Sequence, residues 1–394
     1  MTTVNETGGA TAAHHVGGAL LATYRPGPDR AFLAGPRRTL LATGRHTAVT
    51  DPAEAGRLLR EARTGERPEP LVVGAVPFAP GRPAALFIPE QARWAEPVHD
   101  DPLLRLAPEP RTGPAWTSRP VPAPEGYRNA VADAVRILGE DPELSKVVLA
   151  RTLELSAPGG ADLPAMLRRL IHRDPHGYTF AVPGEGGATL VGASPELLVS
   201  RHGTAVTSNP LAGSAARSDD PVEDRRRAAA LLESPKDLAE HAFVVDAVRR
   251  SLEPHCYDLV VPETPSVIRT AAMWHLSTVV TGTLRDPATS ALDLALDLHP
   301  TPAVCGTPTD RARALIGTLE PFDRGLYTGV VGWGNADGDG EWVVTLRCAE
   351  ADGDRLRLFA GAGVVAGSVP DHELAETTAK FRTFLHAVGL GDDK

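Results

Sequence analysis

The 394-residue chain has little cysteine, methionine or aromatic content: three Cys, three Met, and 5% Phe, Trp and Tyr together. Cys256, Cys305 and Cys348 stand far apart with no paired spacing. That excludes a disulfide framework and a cysteine zinc site, and it fits a reducing compartment. A surplus of positive charge is also missing. The formal net charge is −10, which argues against a nucleic-acid partner, because phosphate contacts need a basic surface. A small anionic substrate stays open, since a local basic pocket can sit in an acidic protein. No apolar run approaches a membrane span, and no basic stretch followed by an apolar one opens the chain, so neither a span nor a signal peptide is expected. A cytoplasmic protein with no membrane and no nucleic-acid partner is the expectation.

What is present suffices for a sizeable core: 42% of the residues are hydrophobic and 23% charged. Length alone allows two or three domains, or one domain built on a large sheet. Residues 1–18 are rich in Gly, Thr and Ala and read as a loose tail, with His14 and His15 as solvent-exposed tail histidines. Residues 19–105 hold short apolar runs broken by Pro and Gly, which read as strands. Six prolines between 107 and 125 read as a linker or surface crossing. Residues 125–140 carry Val131, Ala134, Val135 and Leu138 on one helical stripe. A β-rich run starts at Lys146, and further strands follow with turns at Gly203 and Asn209-Pro210. A long helix is expected over 235–253, with Ser234 as N-cap, Pro235 first and Asp237 three residues past the cap. Residues 326–350 read as a hairpin and 355–365 as a strand. A last helix is expected over 370–388, with Ser368 as its cap. Strands with flanking helices make an α+β arrangement. Asn335, Asp337, Asp339 and Gly340 imitate the start of a calcium loop, but Leu346 stands where a bidentate Glu is needed, so a polar turn is the better reading.

Several residues carry chemistry in one reading and none in another. Glu373, Glu376 and Lys380 share a stripe of the last helix, opposite an apolar face of Leu374, Thr378, Phe381, Leu385 and Val388. They form a solvated face with an ion pair, or half of a cation site. Asp237, Glu240 and His241 raise the same alternative on the earlier helix. Carboxylates from two facing helices would suit magnesium, which prefers oxygen ligands and bridges to anionic substrates. Lys146 is an edge lysine or, if buried, a base. Glu196 caps a turn, or sits in an apolar pocket, keeps its proton and serves as general acid. Arg347, in an alternating strand, is a surface residue or forks onto a carboxylate. Gly361 and Gly363 mark a bulge, or let a ligand approach the backbone.

From Tyr127 onward the chain resembles the chorismate-utilising enzymes. The stretches that carry the resemblance are KVVLAR, GASPELL, SNPLAGSAARS, SPKDLAEH, WHLSTVVTG, HPTPAVCGTP, YTGVVGW, TLRCA and GAGVVAGSVPDHELAETTAK, in family order. Residues 1–120 match loosely, as the variable N-terminal part of that fold, and 121–394 match its catalytic region. The resemblance implies one compact α+β domain, with antiparallel sheets, outer helices and a central cleft. Carried over by position, it makes Lys146 the general base and Glu196 the general acid. Glu240 and Glu376 become Mg2+ ligands, with Glu373 and Asp237 close by. Tyr327, Arg347 and Lys380 become contacts to substrate carboxylates, and His275 the pocket histidine. The backbones of Gly213, Ser214, Gly361 and Gly363 face anions.

Within that family the resemblance is greatest to the isochorismate synthases. Position 212 is Ala, where aminodeoxychorismate synthases carry a ring-attacking Lys. Thr301, Pro302 and Ala303 follow the isochorismate synthase form of the His299–Pro308 segment, which implies water as the nucleophile. The implied reaction adds water at C2 of chorismate and expels the C4 hydroxyl. No glutamine amidotransferase partner is implied, and a monomer is expected. The alternatives are a salicylate synthase, which goes on to eliminate pyruvate, and an ammonia-using aminodeoxyisochorismate synthase. Whether siderophore, menaquinone or salicylate-derived pathways take the product stays open.

Overall fold

In a computed structural model, residues 17–390 are described except 66, 68, 103 and 105–114. Seventeen strands among them join into one curled antiparallel sheet, and three more, Leu211–Ala216, Met273–Ser277 and Ser266–Arg269, form a small second one. Helices cover the outside, so the architecture is the expected α+β arrangement. The N-terminal strands belong to the large sheet: Arg30–Ala34 pairs with Tyr178–Pro183, and Leu71–Val76 pairs with Val330–Asn335. No helix among the described residues is long and apolar enough to cross a membrane.

The strand Lys146–Ser156 organises the cleft. Arg355–Val364 pairs with it along its whole length, which sets Gly361 opposite Ala150 and Gly363 opposite Val148. On its other side Thr117–Val121 pairs with Thr152–Ser156. The later part of the proline-rich stretch is therefore a strand and not a linker; residues 105–114 lie outside the described residues. An edge position tolerates Pro120, because the side without a neighbour needs no ladder N–H. Pro124 then opens the helix Pro124–Glu140 at a position where a missing N–H costs nothing. The expected tail lies outside the described residues up to 16, but Gly17 and Gly18 already belong to the helix Gly17–Thr23.

Two helices flank the cleft. Pro235–Leu252 begins as its sequence dictates: the Ser234 side chain accepts from the Asp237 N–H at 3.2 Å, with Pro235 at the first position. It buries His241, Val244, Val248 and Leu252 on one stripe. Pro370–Ala387 starts differently from expectation. Its cap residue is Val369, which makes no side-chain capping bond, and Ser368 Oγ instead accepts from the Val365 N–H. Of the expected apolar face, Phe381 and Val388 are buried and Leu374 and Leu385 pack against the core, whereas Thr378 is exposed and Glu373, Thr377 and Phe384 are buried as well. Arg151 on the organising strand holds this helix, its guanidinium donating to Thr377 Oγ1 at 2.8 Å and Thr378 Oγ1 at 2.6 Å. The calcium-like segment is a hairpin turn, where Asn335 Oδ1 accepts from the N–H groups of Asp337 and Asp339.

Candidate active site

The cleft encloses about 900 Å³ out to its mouth. Glu196, Gly213, Ser214, Glu240, His275, Ala303, Tyr327, Arg347, Gly361, Gly363, Glu376 and Lys380 all line it. Lys146 stands directly behind this lining. A Cβ placed on Gly363 would lie 2.9 Å from Lys146 Cε and 2.6 Å from Glu240 Oε1. A side chain at 363 would therefore press on the pair.

Glu196 follows the strand Thr189–Ser194, with the turn fixed by Ser194. Its Oγ donates to the Val344 carbonyl at 2.6 Å and accepts from the Glu196 N–H at 3.2 Å. The carboxyl is 2% exposed. Burial pushes its pKa up to about 8, against the pull of the Leu211 amide, Lys146, Arg347 and Lys380. Glu196 thus holds a proton at neutral pH.

Lys146, 0% exposed, heads its strand and donates to Glu240 Oε1 at 2.7 Å. Burial alone would raise the Glu240 carboxyl; the charges of Lys146, Lys380 and Lys236 more than offset it and hold it below its usual range. On the last helix Lys380 donates to Glu376 Oε1 at 2.6 Å and to the Gly361 carbonyl at 2.8 Å. Ser214 Oγ also donates to Glu376 Oε1, at 3.2 Å. Ser214 reaches this point because the strand Leu211–Ala216 bulges at Gly213, whose φ of +74° favours glycine.

Arg347 does not sit in an alternating strand. It occupies the break between Gly340–Val344 and Cys348–Asp352, with φ of +44°. That left-handed backbone, costing about 1–2 kcal/mol, sets its side chain against His275 Nε2. Burial lowers the Arg347 pKa to about 10, opposed by Asp174 and Glu196. Burial, with the charges of Arg347 and Lys380, drives His275 well below its usual range, so its ring is neutral and accepts from the guanidinium. Tyr327 is buried and stacks on Phe359 at 4.8 Å between ring centres.

The carboxylates are arranged unevenly. Asp237, Glu240 and Glu376 line the cleft, while Glu373 is 2% exposed, lies behind it, and accepts from Lys236 at 3.5 Å. Burial and the Glu376 charge raise the Glu373 pKa; burial with Glu240 and Glu376 raises that of Asp237. Among the described residues no three His, Cys, Asp or Glu side chains gather into a metal-holding group. The surviving fit to a cation is electrostatic: hard oxygen donors from two helices crowd enough to repel one another. Reasoning from sequence missed Lys236, which lines the cleft in the first turn of its helix. Its place between Pro235 and Asp237 in SPKDLAEH was the available signal.

The family model described as chorismate binding enzyme matches residues 100–389. Isochorismate synthase DhbC of Bacillus subtilis (strain 168) is 52% identical over 387 residues, covering 94% of this chain and 96% of that protein. The vibriobactin-specific isochorismate synthase of Vibrio cholerae serotype O1 is 44% identical over 344 residues, 86% of this chain and 84% of its own. Among solved structures, DhbC from Bacillus anthracis superposes with a TM-score of 0.89 at 49% identity. That match covers 95% of this chain and 100% of the other.

Proposed function

The chain belongs to the chorismate binding enzyme family, and from that premise we propose that it is an isochorismate synthase, converting chorismate to isochorismate. The observation that carries the chemistry is a buried carboxyl that keeps its proton at neutral pH, Glu196, in a cleft backed by a buried amine, Lys146. An exchange of hydroxyl groups needs both kinds of group. Water attacks C2, and the base takes one of its protons. The ring double bonds shift, and the C4 oxygen leaves with a proton from the acid. One water enters and one leaves, so atoms and charge balance.

In this reading Lys146, once it has passed its proton on and stands as the neutral amine, is the base, and Glu196 is the acid. Arg347, Tyr327 and Lys380 hold the two substrate carboxylates. The neutral His275 orients Arg347, and the backbones of Gly213, Ser214, Gly361 and Gly363 let anionic groups approach closely. Mg2+ is the proposed cofactor, held by Glu240 and Glu376 with Glu373 and Asp237 in support. Bound there it would offset substrate negative charge and compete with Lys146 for Glu240. Ala212 leaves the ring without a lysine nucleophile, which supports water in that role and no amidotransferase partner. A monomer working in the cytoplasm completes the proposal, and three buried free cysteines support that compartment.

The test is to incubate the protein with chorismate and magnesium and follow the products by NMR. Isochorismate accumulates from the earliest times, and isochorismate supplied alone regenerates chorismate. A mixture dominated from the start by salicylate and pyruvate overturns the reading in favour of a salicylate synthase.

A further inference from the structure

Behind the cleft, and absent from its lining, lies a buried ion pair that the chemistry above does not use. Arg324 and Glu320 are 3% and 9% exposed. An arginine has five N–H donors, and each of these five has an acceptor. Nε donates to Glu320 Oε2 at 2.9 Å. One terminal nitrogen donates to the Val304 carbonyl at 2.8 Å and to Thr328 Oγ1 at 3.2 Å. The other donates to the Val148 carbonyl at 2.8 Å and to Glu320 Oε1 at 2.6 Å. Glu320 Oε1 in turn accepts from the Ala150 N–H at 2.7 Å. The guanidinium also lies 5.8 Å from the Tyr327 ring centre.

Val148, Val304, Thr328 and Tyr327 all line the cleft. They come from three separate segments, and one cation touches every one. Val148 and Ala150 sit two and four residues past Lys146, so the pair grips the strand that carries the base. Val304 is the neighbour of Ala303. Thr328 leads towards the acid: its N–H donates to the Thr345 carbonyl, and the adjacent Val344 N–H donates to the Glu196 carbonyl. We propose that Arg324, carried by Glu320, is a positioning residue that fixes the distance between Lys146 and Glu196 across the substrate ring. The proposal rests on the isochorismate synthase reading and adds two residues that touch no substrate. Buried ion pairs give little net stability, because desolvation cancels their attraction. Placement of the walls is what this pair supplies.

The test uses Arg324→Lys, which keeps the charge beside Glu320 but has three donors for five acceptors. The expected result is a kcat lower by about 100-fold, the cost of misplacing reacting groups by about 1 Å, with KM changed less than threefold. Arg324→Ala with added guanidinium at millimolar concentration should recover part of kcat. Glu320→Gln, of the same shape, should lower kcat in the same direction. A kcat per folded molecule within threefold of the wild type in Arg324→Lys overturns the proposal. So does a set of variants none of which folds, since the pair would then serve stability. If the wild type makes no isochorismate, the functional reading falls separately. The crystal positions of Val148, Val304 and Thr328 in Arg324→Lys then decide the placement on their own, with unmoved walls counting against it.

Discussion

The two walls of the cleft manage charge in opposite ways. On the strand side Glu196 is buried beside Leu211 and Leu346, the charges around it do not offset that burial, and it keeps its proton. On the helix side charges crowd together: Lys146 with Glu240, Lys380 with Glu376, Lys236 with Glu373. The same residue type, a glutamate, is pushed up to about 8 on one wall and held below its usual range on the other. Burial decides at Glu196, and contact with Lys146 decides at Glu240. Neither protonation state is written in the glutamate itself; each is set by the balance of burial against the neighbouring charges.

The sharpest way to break this contrast is to remove the proton donor or its opposite. Glu196→Gln and Lys146→Ala should each lower kcat by about 10³-fold, with near-UV circular dichroism unchanged. Wild-type-like turnover in either variant removes that residue from the mechanism. Next in size are Glu240→Ala and Glu376→Ala. Each should raise the magnesium needed for half-maximal activity at least about tenfold, the loss seen when even an outer partner of a metal site is removed. Calorimetry with chorismate present is the check, and unchanged magnesium binding would sink the two-helix cation site.

A pH series sharpens the comparison without deleting anything. Because the acid must be protonated, kcat/KM should fall as pH rises past about 8. The stability sign follows from linkage. Folded Glu196 binds a proton that the unfolded chain releases near pH 4, so its contribution is present below that value and is lost as pH rises towards 8. Glu196→Gln should therefore melt at a higher temperature than the wild type at pH 8, with the difference vanishing at acid pH. A wild-type melting curve equally pH-sensitive in the Gln variant would contradict the raised pKa. The smallest effect is expected from Gly363→Ala. Its new methyl group presses on the Lys146–Glu240 pair, and kcat/KM should drop about tenfold, or 1.4 kcal/mol, with little change in melting temperature. A rate equal to the wild type would show that the pair has room to spare.

Local signals in the chain were readable where local physics decides. Ser234, Pro235 and Asp237 announce a helix start, and the structure begins the helix there. Asn335 through Gly340 announce a turn, and it closes a hairpin. The cleft's lining was readable through motifs, which collect residues from distant segments. What stayed hidden depends on partners remote in sequence. The last helix takes two hydrogen bonds from Arg151 and buries Glu373. The strand Thr117–Val121 exists because Lys146–Ser156 offers it an edge. Arg347 leaves the ladder because its backbone turns left-handed beside His275. Arg324 reads as an ordinary arginine until Val148, Val304 and Thr328 surround it.

The pairing of Leu71–Val76 with Val330–Asn335 has a consequence for how the chain is made. A ribosome delivers the first of these strands long before its neighbour exists. Until residue 335 has emerged, that all-buried strand has one flank of backbone groups without the neighbour that will pair with them. Closing so long a loop is slow, because its entropy is lost before the contact is gained. Completion of the large sheet therefore waits for nearly the whole polypeptide. A nascent chain stalled before Val330 should be open to protease at Leu71–Val76, and one released past Asn335 should not.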